Sequence, residues 1–521
     1  MQINQAGKTV FTITPLEKLE RFLTLGCTDN VFNATDNQDY ISEFIKSTFD
    51  YVMEILENDD IDFYHCLMNC VINNKCKKQE PLIFMYALGV THNVGSSMSL
   101  IFRKRLYSQL EVVCTTPTTL TMFVDYCKKL MFVRKGTTGW NNLHKKAIED
   151  WYVNKPVMRT AYQITKYKQR NGYSHRDIMR LLHPKPNSDD TRILYNYMVN
   201  GTILESVTSH DLHTFLTDYD AISKGIIINK DEICALIKKH GLSREHVPNT
   251  YLDDTDIWKS LVFTMPRMAL LRNLNKMTSL GLLRDDIIKN HIISQITRMT
   301  DIHPLQLLVC LKTYNQGHGD KGKLRWTPDS DVVQTLNDRF MDVGPSSISQ
   351  KKICICLDVS GSMLENKIYG AQCLSAAEGV VAMAMVLKKK LGEKADIMAF
   401  SQDFIPLDID IQKTLDENLQ KLNRISFGMT DISLPFLWAK EQRKLYNTFI
   451  VMTDNETNYN RFDPMHTLIN YRESTKIYDC GLLVLATSAT DVSVGDPSDK
   501  YVLNISGFND AVPTIIEDFC R

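Results

Sequence analysis

The stretch ICICLDVSGSM at residues 353–363 decides the fold. Five apolar residues run without interruption into Asp358, and Ser360 and Ser362 follow at alternate positions. A short continuous apolar run that ends in turn residues predicts a strand buried on both faces, as in a parallel sheet. Its surroundings extend the pattern. A helix is expected at 370–390, a strand at 395–401, helices at about 411–424 and 432–442, a strand at 447–454, a helix near 464–473 and a strand at 476–486. Alternating strands and helices of this kind predict a parallel sheet covered on both faces.

In such sheets ligands bind beyond the carboxyl ends of the strands. Asp358, Ser360 and Ser362 lie there, and Asp454 closes the strand NTFIVMTD in the same way. Thr430, in FGMTD, falls in a loop that enters a helix. Two carboxylates and three hydroxyls make an all-oxygen set. That set suits a hard divalent cation such as Mg²⁺, with water or a partner's carboxylate completing the octahedron. The bland alternative is a loop whose two serines cap the next helix.

Before about residue 345 the apolar spacing is helical, as in ISEFIKSTFDYVMEIL (41–56), PLIFMYALGV (81–90), TLTMFVDYCKKLMF (119–132) and DVVQTLNDRFM (331–341). Many modest helices with short links predict stacked helix pairs, without a strict sequence period. MDVGPSSISQ (341–350) reads as a linker, so the expected domains are 1–345 and 346–521.

Two or three domains also follow from the length of 521 residues. With 44% hydrophobic and 23% charged residues the composition is that of an ordinary globular chain. The first residues lack a basic stretch followed by an apolar core, which predicts no secretory leader. The apolar run at 379–387 is too short to span a bilayer and reads as a buried helix. Thirteen cysteines without a CxxC pair read as reduced, mostly buried thiols of a cytosolic protein.

The net charge of −1 hides an asymmetry. Residues 128–185 hold fourteen Lys and Arg against three Asp and Glu, an excess of +11, so the remainder sums to −12. Such a concentration attracts polyanions. Within it, KPVMRTAYQITKYKQRNGYSHRDIMRLLHPK (155–185) predicts a helix with Arg159, Lys166 and Arg170 on one face and Val157, Ala161 and Ile164 opposite. Gly172 breaks that helix. Ser174 and Asp177 form a capping box for a second one, which carries Arg176 and Arg180 and stops at His183 before Pro184. Cations interleaved with Tyr167 and Tyr173 suit phosphates and unstacked bases. The alternative is an ordinary solvated helix face.

The set D358-V-S360-G-S362, T430 and D454 resembles the metal-ion-dependent adhesion site of von Willebrand factor A domains. Strings along the whole chain, among them GWNNLHKKAIEDWY (139–152), TKYKQRNGYSHRDIMRLLHPKP (165–186), MPRMALLRNLNKMTSLGLL (265–283) and GMTDISLP (428–435), resemble the TROVE-domain family of Ro ribonucleoprotein autoantigens. The resemblance implies a monomeric ring of HEAT-like helical repeats closed by an α/β, Rossmann-like A domain. It also implies two RNA modes: small noncoding Y RNAs on a basic outer surface, and single-stranded 3′ ends of misfolded RNAs through a central hole. By the same resemblance Lys166, Arg170 and His183 are the Y-RNA positions, and the metal ligands are Asp358, Ser360, Ser362, Thr430 and Asp454. Arg272, Asn273, Lys276, His318 and Lys321 are candidates for the hole. Met429 replaces a commoner glycine, and Tyr173 stands where an indole is usual.

The expected function is a noncatalytic RNA-binding scaffold in RNA quality control, in the cytoplasm and also the nucleus, with no membrane partner. The rival readings are a metal-dependent protein-interaction module with a helical spacer, whose partner docks at the A-domain metal, and a metal-dependent hydrolase.

Overall fold

The computed structural model describes residues 2–3, 9–10, 14–25, 49–58, 60–73, 76, 79–92, 97–136, 140–204, 210–299, 302, 304–319, 323–342, 351–365, 367–368, 371–422, 430–454, 462–487, 494–496, 498–506 and 512–520. Compactness divides the chain into two units. One contains Leu82–Ile296 and Gly317–Asp329; the other contains Met1–Pro81, Thr297–Gln316 and Ser330–Arg521. The change of pattern near 345 marks where the large sheet begins. The compact units are cut elsewhere, because two helices before it pack on the sheet domain.

The first unit is helical. Pro117–Lys135 starts at Thr116, whose side chain accepts from the Thr119 N–H, and stops at Gly136, whose φ of 64° gives the left-handed turn that glycine adopts freely. Val157–Lys166 packs on Asp189–Asn200 and His210–Ser223, His175–Leu182 on Asp189–Asn200, and Lys230–His240 on Thr255–Val262. Each helix thus finds partners a short distance along the chain, as in stacked helix pairs. Trp151 and Trp258 are fully buried, and each indole N–H donates to a backbone carbonyl, of Cys114 and Leu252.

The expected helix across 157–171 ends earlier, at Lys166. Gln169–Arg170 and Tyr173–Ser174 then pair as a two-stranded hairpin. Asn171 and Gly172 both have positive φ, 50° and 77°, the backbone of a tight two-residue hairpin turn. Asn-Gly is the strongest short signal for that turn, and here it outweighs the helical charge spacing. The Asn171 amide donates to the Thr118 carbonyl and Thr121 Oγ1, both at 3.1 Å, which ties the hairpin to Pro117–Lys135. Asn171→Ala is expected to destabilise the unit by about 1–2 kcal/mol, read by chemical denaturation. The capping box at Ser174 and Asp177 and the stop at His183 (φ 49°) are as the spacing predicts.

In the second unit six strands lie in the order 502–506, 481–486, 448–453, 353–358, 395–400, 404–406. All pairs are parallel except the edge strand Phe404–Pro406. Ile353–Asp358 is fully buried, as its uninterrupted apolar run requires. The helix expected from 370 starts at Ala376, after a short strand at Ala371–Ser375. A capping box between Ser375 and Glu378 sets the start. Likewise the helix expected at 411–424 is Leu415–Leu422, and the strand expected from 476 begins at Gly481.

Ala376–Leu391 is buried over nearly all its length. It packs against the sheet and against Pro304–Asn315 and Ser330–Asp342. Its Val380, Val381, Met385 and Leu387 contribute about 1.5–3 kcal/mol each on burial. Lys312 pairs with Glu378 across the first of these contacts, and Lys389 with Asp342 across the second. No described helix is long and apolar enough to cross a membrane. Of the twelve described cysteines, eight are buried.

Candidate metal centre and nucleic-acid interface

From Ile353–Asp358 the chain moves outward to Ala395–Phe400 and the edge, then crosses back to Thr448–Thr453 on the other side. The point where strand order reverses therefore lies between 353–358 and 448–453, and a crevice opens there at the carboxyl ends. Asp358 and Asp454 occupy those two ends, both essentially inaccessible to solvent.

Ser360 N–H donates to Asp358 Oδ1 at 2.9 Å, and Thr453 Oγ1 donates to Oδ2 at 2.6 Å. Ser360 Oγ and Ser362 Oγ are 3.1 Å apart, and Ser362 Oγ donates to Asp454 Oδ2 at 2.6 Å. One hydrogen-bonded chain thus links the DxSxS loop to the second carboxylate. Asp431 accepts from the backbone N–H and the hydroxyl of Ser433, which shapes the loop carrying Thr430. Burial first, and then the charge of Asp454, pushes the Asp358 carboxyl up to about 7.

Thr430 is completely buried, and its Oγ1 has no hydrogen-bond partner. A buried, orphaned hydroxyl is costly unless something binds it. Asp358 has no ion-pair partner among the described residues. The donor set and the orphaned oxygen both fit a hard divalent cation. Among the described residues no three His, Cys, Asp or Glu side chains cluster as a metal site.

The basic segment divides on inspection. Lys129 pairs with Asp125, and Lys146 with Glu149 and Asp150. Lys155 is buried over the Trp151 ring at 2.9 Å from its centroid, and burial pulls its ammonium down to about 7. These cations are spent on structure. Arg159, Arg176 and Arg180 are exposed and make no ion pair among the described residues. Arg170 is exposed on the hairpin, donates to the Gln169 carbonyl at 2.7 Å and lies 5.6 Å over the Tyr167 ring.

Lys166 differs from these. Its side chain is only 20% exposed and reaches Glu245 at 3.7 Å. Arg159, Lys166 and Arg170 therefore do not share one helix face: the first two lie on the helix and the third on the hairpin. His183 is exposed at the left-handed end of His175–Leu182.

Of the residues expected at a hole, Arg272 is exposed on Arg267–Ser279. Asn273 accepts from Arg244 at 3.0 Å, and Lys276 donates to Asp253 at 2.6 Å. His318 is exposed and bridges to Arg325 in a short antiparallel pairing. Lys321 lies outside the described residues.

Sequence reasoning passed over Thr453, which precedes Asp454 in MTD and secures Asp358. Its signal was adjacency to the strand-end carboxylate. It also passed over Lys168, Tyr197, Tyr219 and Lys224, which three separate elements bring together and for which no spacing rule exists.

The TROVE domain family matches residues 3–232 and 237–315, and the Ro60 vWA domain family matches residues 352–520. The RNA-binding protein RO60 of Caenorhabditis elegans is 31% identical over 592 residues, covering 99% of this chain and 89% of its own length. The protein of that name from Deinococcus radiodurans is 29% identical over 527 residues, covering 99% and 95%. The crystal structure of the Deinococcus radiodurans RO (RSR) protein matches with a TM-score of 0.75 at 27% identity, over 98% of this chain and 99% of that one. With matches running through both halves, this chain belongs to the TROVE-domain family, and it carries a Ro60-type vWA domain after the helical TROVE domain.

Proposed function

We propose that the protein is a noncatalytic RNA-binding scaffold of RNA quality control. It takes small noncoding Y RNAs on its basic outer surface, and single-stranded 3′ ends of misfolded RNAs through the hole of a helical ring. The observation that carries this reading is the set of exposed arginines that make no ion-pair contact among the described residues, Arg159, Arg176 and Arg180, together with the exposed Arg170 and His183. The relatives' name, RNA-binding protein RO60, supports it. Guanidiniums displace condensed counterions from phosphates, so affinity falls steeply with salt. The rigid hairpin and the capped helix hold those cations at fixed spacing, which favours a structured partner over a flexible polyanion.

The full chain is expected to bind a small structured RNA tightly at 50 mM salt, and roughly a thousandfold more weakly at 200 mM if six phosphates are contacted. Binding that is absent at low salt overturns the reading. Incubation with Mg²⁺ is expected to leave labelled RNA uncut. Ser360 and Ser362 hydrogen-bond to each other, Ser362 donates to Asp454, and among the described residues neither engages a histidine base.

The orphaned Thr430 hydroxyl favours a second activity in the A domain. Asp358, Ser360, Ser362, Thr430 and Asp454 would hold a divalent cation, probed as Mg²⁺. The ion would supply a positive docking point for a carboxylate of a protein partner. Asp358→Ala is expected to abolish Mg²⁺-dependent thermal stabilisation while leaving RNA affinity within about twofold. A variant still stabilised by Mg²⁺ as wild type is would place the ion elsewhere.

A further inference from the structure

The sheet of the A domain has a second edge, opposite the crevice of Asp358 and Asp454. Five of its six strands are parallel, so their amino ends meet there. Ala395, Ile353, Thr448 and Gly481 stand level in the register, and Val502 pairs with Leu482 beside them. With strands about 4.8 Å apart, the five amino ends span ~19 Å. The turns entering these strands carry Lys352, Arg443, Lys444, Lys476 and Lys500, all exposed and none in an ion pair among the described residues. The exposed acids in the same turns are Glu393 and Asp479. Asp396 accepts from Tyr446 Oη at 2.6 Å and Asp499 from Arg472 at 2.5 Å, so both are already engaged.

Two of these cations sit on strained backbone. Arg443 has a φ of 51° and Lys476 a φ of 64°, the left-handed region that favours glycine. Each follows a helix, Leu434–Glu441 and Pro464–Thr475, whose last turn already holds a cation, Lys440 and Arg472. The helix dipoles are therefore served before Arg443 and Lys476 are reached. Glycine would end both helices with less strain, so these two side chains answer to something outside the fold. The same two turns expose Leu445 and Tyr478, by 57% and 61%. Tyr501 is half-buried, with the Lys500 ammonium 4.7 Å from its ring centroid. Cations on fixed turns beside open aromatic faces suit a run of phosphates with unstacked bases. An acidic peptide would satisfy the cations but give the open tyrosine face no flat partner.

We propose that this amino edge of the A-domain sheet holds a single-stranded stretch of a bound RNA, with phosphates on Arg443, Lys444 and Lys476 and one base on Tyr478. The proposal rests on the RNA-binding reading above and gives the A domain a share in it. The two edges of the sheet then serve different partners. The central strands are six residues long, which puts this edge about 20 Å from the carboxyl-end crevice. That exceeds the Debye length of roughly 8 Å at physiological salt, so loss of the Asp358 site leaves the contact intact.

The test uses the full chain and two RNAs: a paired hairpin, and the same hairpin with a tail of about 20 uridines, titrated by fluorescence anisotropy at several salt concentrations. Arg443→Gly, Lys444→Ala and Lys476→Gly are combined in one variant. The two glycines relieve the left-handed backbone, so the fold is kept. The variant is expected to bind the tailed RNA roughly tenfold more weakly, with its salt slope flattened by about 2, since each single-strand phosphate contact contributes about 0.7. Its affinity for the bare hairpin stays within about twofold of wild type. A tail carrying 4-thiouridine, irradiated on wild type, is expected to crosslink within residues 476–480. Undiminished affinity for the tailed RNA, an equal loss on the bare hairpin, or no crosslink in 443–447 and 476–480 overturns the proposal and leaves the RNA-binding reading standing. A polyglutamate peptide that loses its binding in the variant, while the tailed RNA does not, assigns the edge to an acidic protein partner and likewise overturns it. Wild type that binds neither RNA overturns both.

Discussion

Replacing Lys166 and Arg170 together by glutamate is expected to weaken binding of structured RNA by about 100-fold near physiological salt. A hydrogen bond to a charged group contributes about 1.5–3 kcal/mol, and two such losses amount to a factor of ~10²–10⁴. Screening of an exposed site places the effect at the lower end. The slope of log affinity against log salt should also flatten by about 2, one for each phosphate contact removed.

The two positions are not equivalent. Arg170 is exposed on a hairpin anchored by Asn171, so its single replacement should carry most of the loss. Lys166 is half-withdrawn towards Glu245, so Glu245→Gln should free its ammonium and raise affinity slightly, about twofold. Circular dichroism checks that each variant keeps its helices. A double variant binding within threefold of wild type would remove the RNA contact from this segment.

Acid is expected to unfold the helical unit chiefly by protonating buried histidines. Four of its histidines are buried: His92, His144, His175 and His246. Burial is the leading cause in each case, and it lowers His144 to about 3 and the other three to about 4. In the unfolded chain each returns to about 6.5. The unfolded state therefore binds more protons between pH 6.5 and the folded values. The stability these groups retain while neutral is fully present above pH 6.5 and is lost as pH falls towards 4.

Each histidine removes up to about 1.4 kcal/mol per pH unit in that window. Four together remove up to about 10 kcal/mol by about pH 4.5, enough to exhaust a stability in the lower part of the usual range of roughly 5–15 kcal/mol. Helix content followed at 222 nm against pH should show the transition, with RNA binding lost in step. His144 offers the control. Its Nε2 has no partner, and its ring stacks on Phe123 with 5.4 Å between centroids. His144→Phe removes one titrating site, keeps an aromatic ring, and should lower the acid midpoint by about half a pH unit. An unchanged midpoint would show that buried histidine does not set the acid limit.

The A domain was legible because its residues obey local rules. An uninterrupted apolar strand ending in an aspartate belongs to a parallel sheet, and a carboxyl end belongs to a ligand crevice. The helical half was legible as helices but less so at their ends. Charge periodicity ran the helix past Lys166, although Asn171-Gly172 announced a turn. Capping boxes at Ser174 and Ser375 set the starts of two helices, and only the first was noticed.

Sequence by itself determined the alternation of elements, the order in which the metal-type oxygens occur and the concentration of cation between residues 128 and 185. Tertiary structure alone decided which cations remain available. Glu245, far along the chain, draws in Lys166, and the buried Trp151 ring shelters Lys155, whereas Lys129 and Lys146 pair with carboxylates four residues away on their own helices. It alone left Thr430 Oγ1 without a partner and brought Tyr197, Tyr219 and Lys168 around one cavity. The reason is physical: periodicity and turn chemistry act over a few residues along the chain, whereas burial and charge pairing depend on neighbours that only packing supplies.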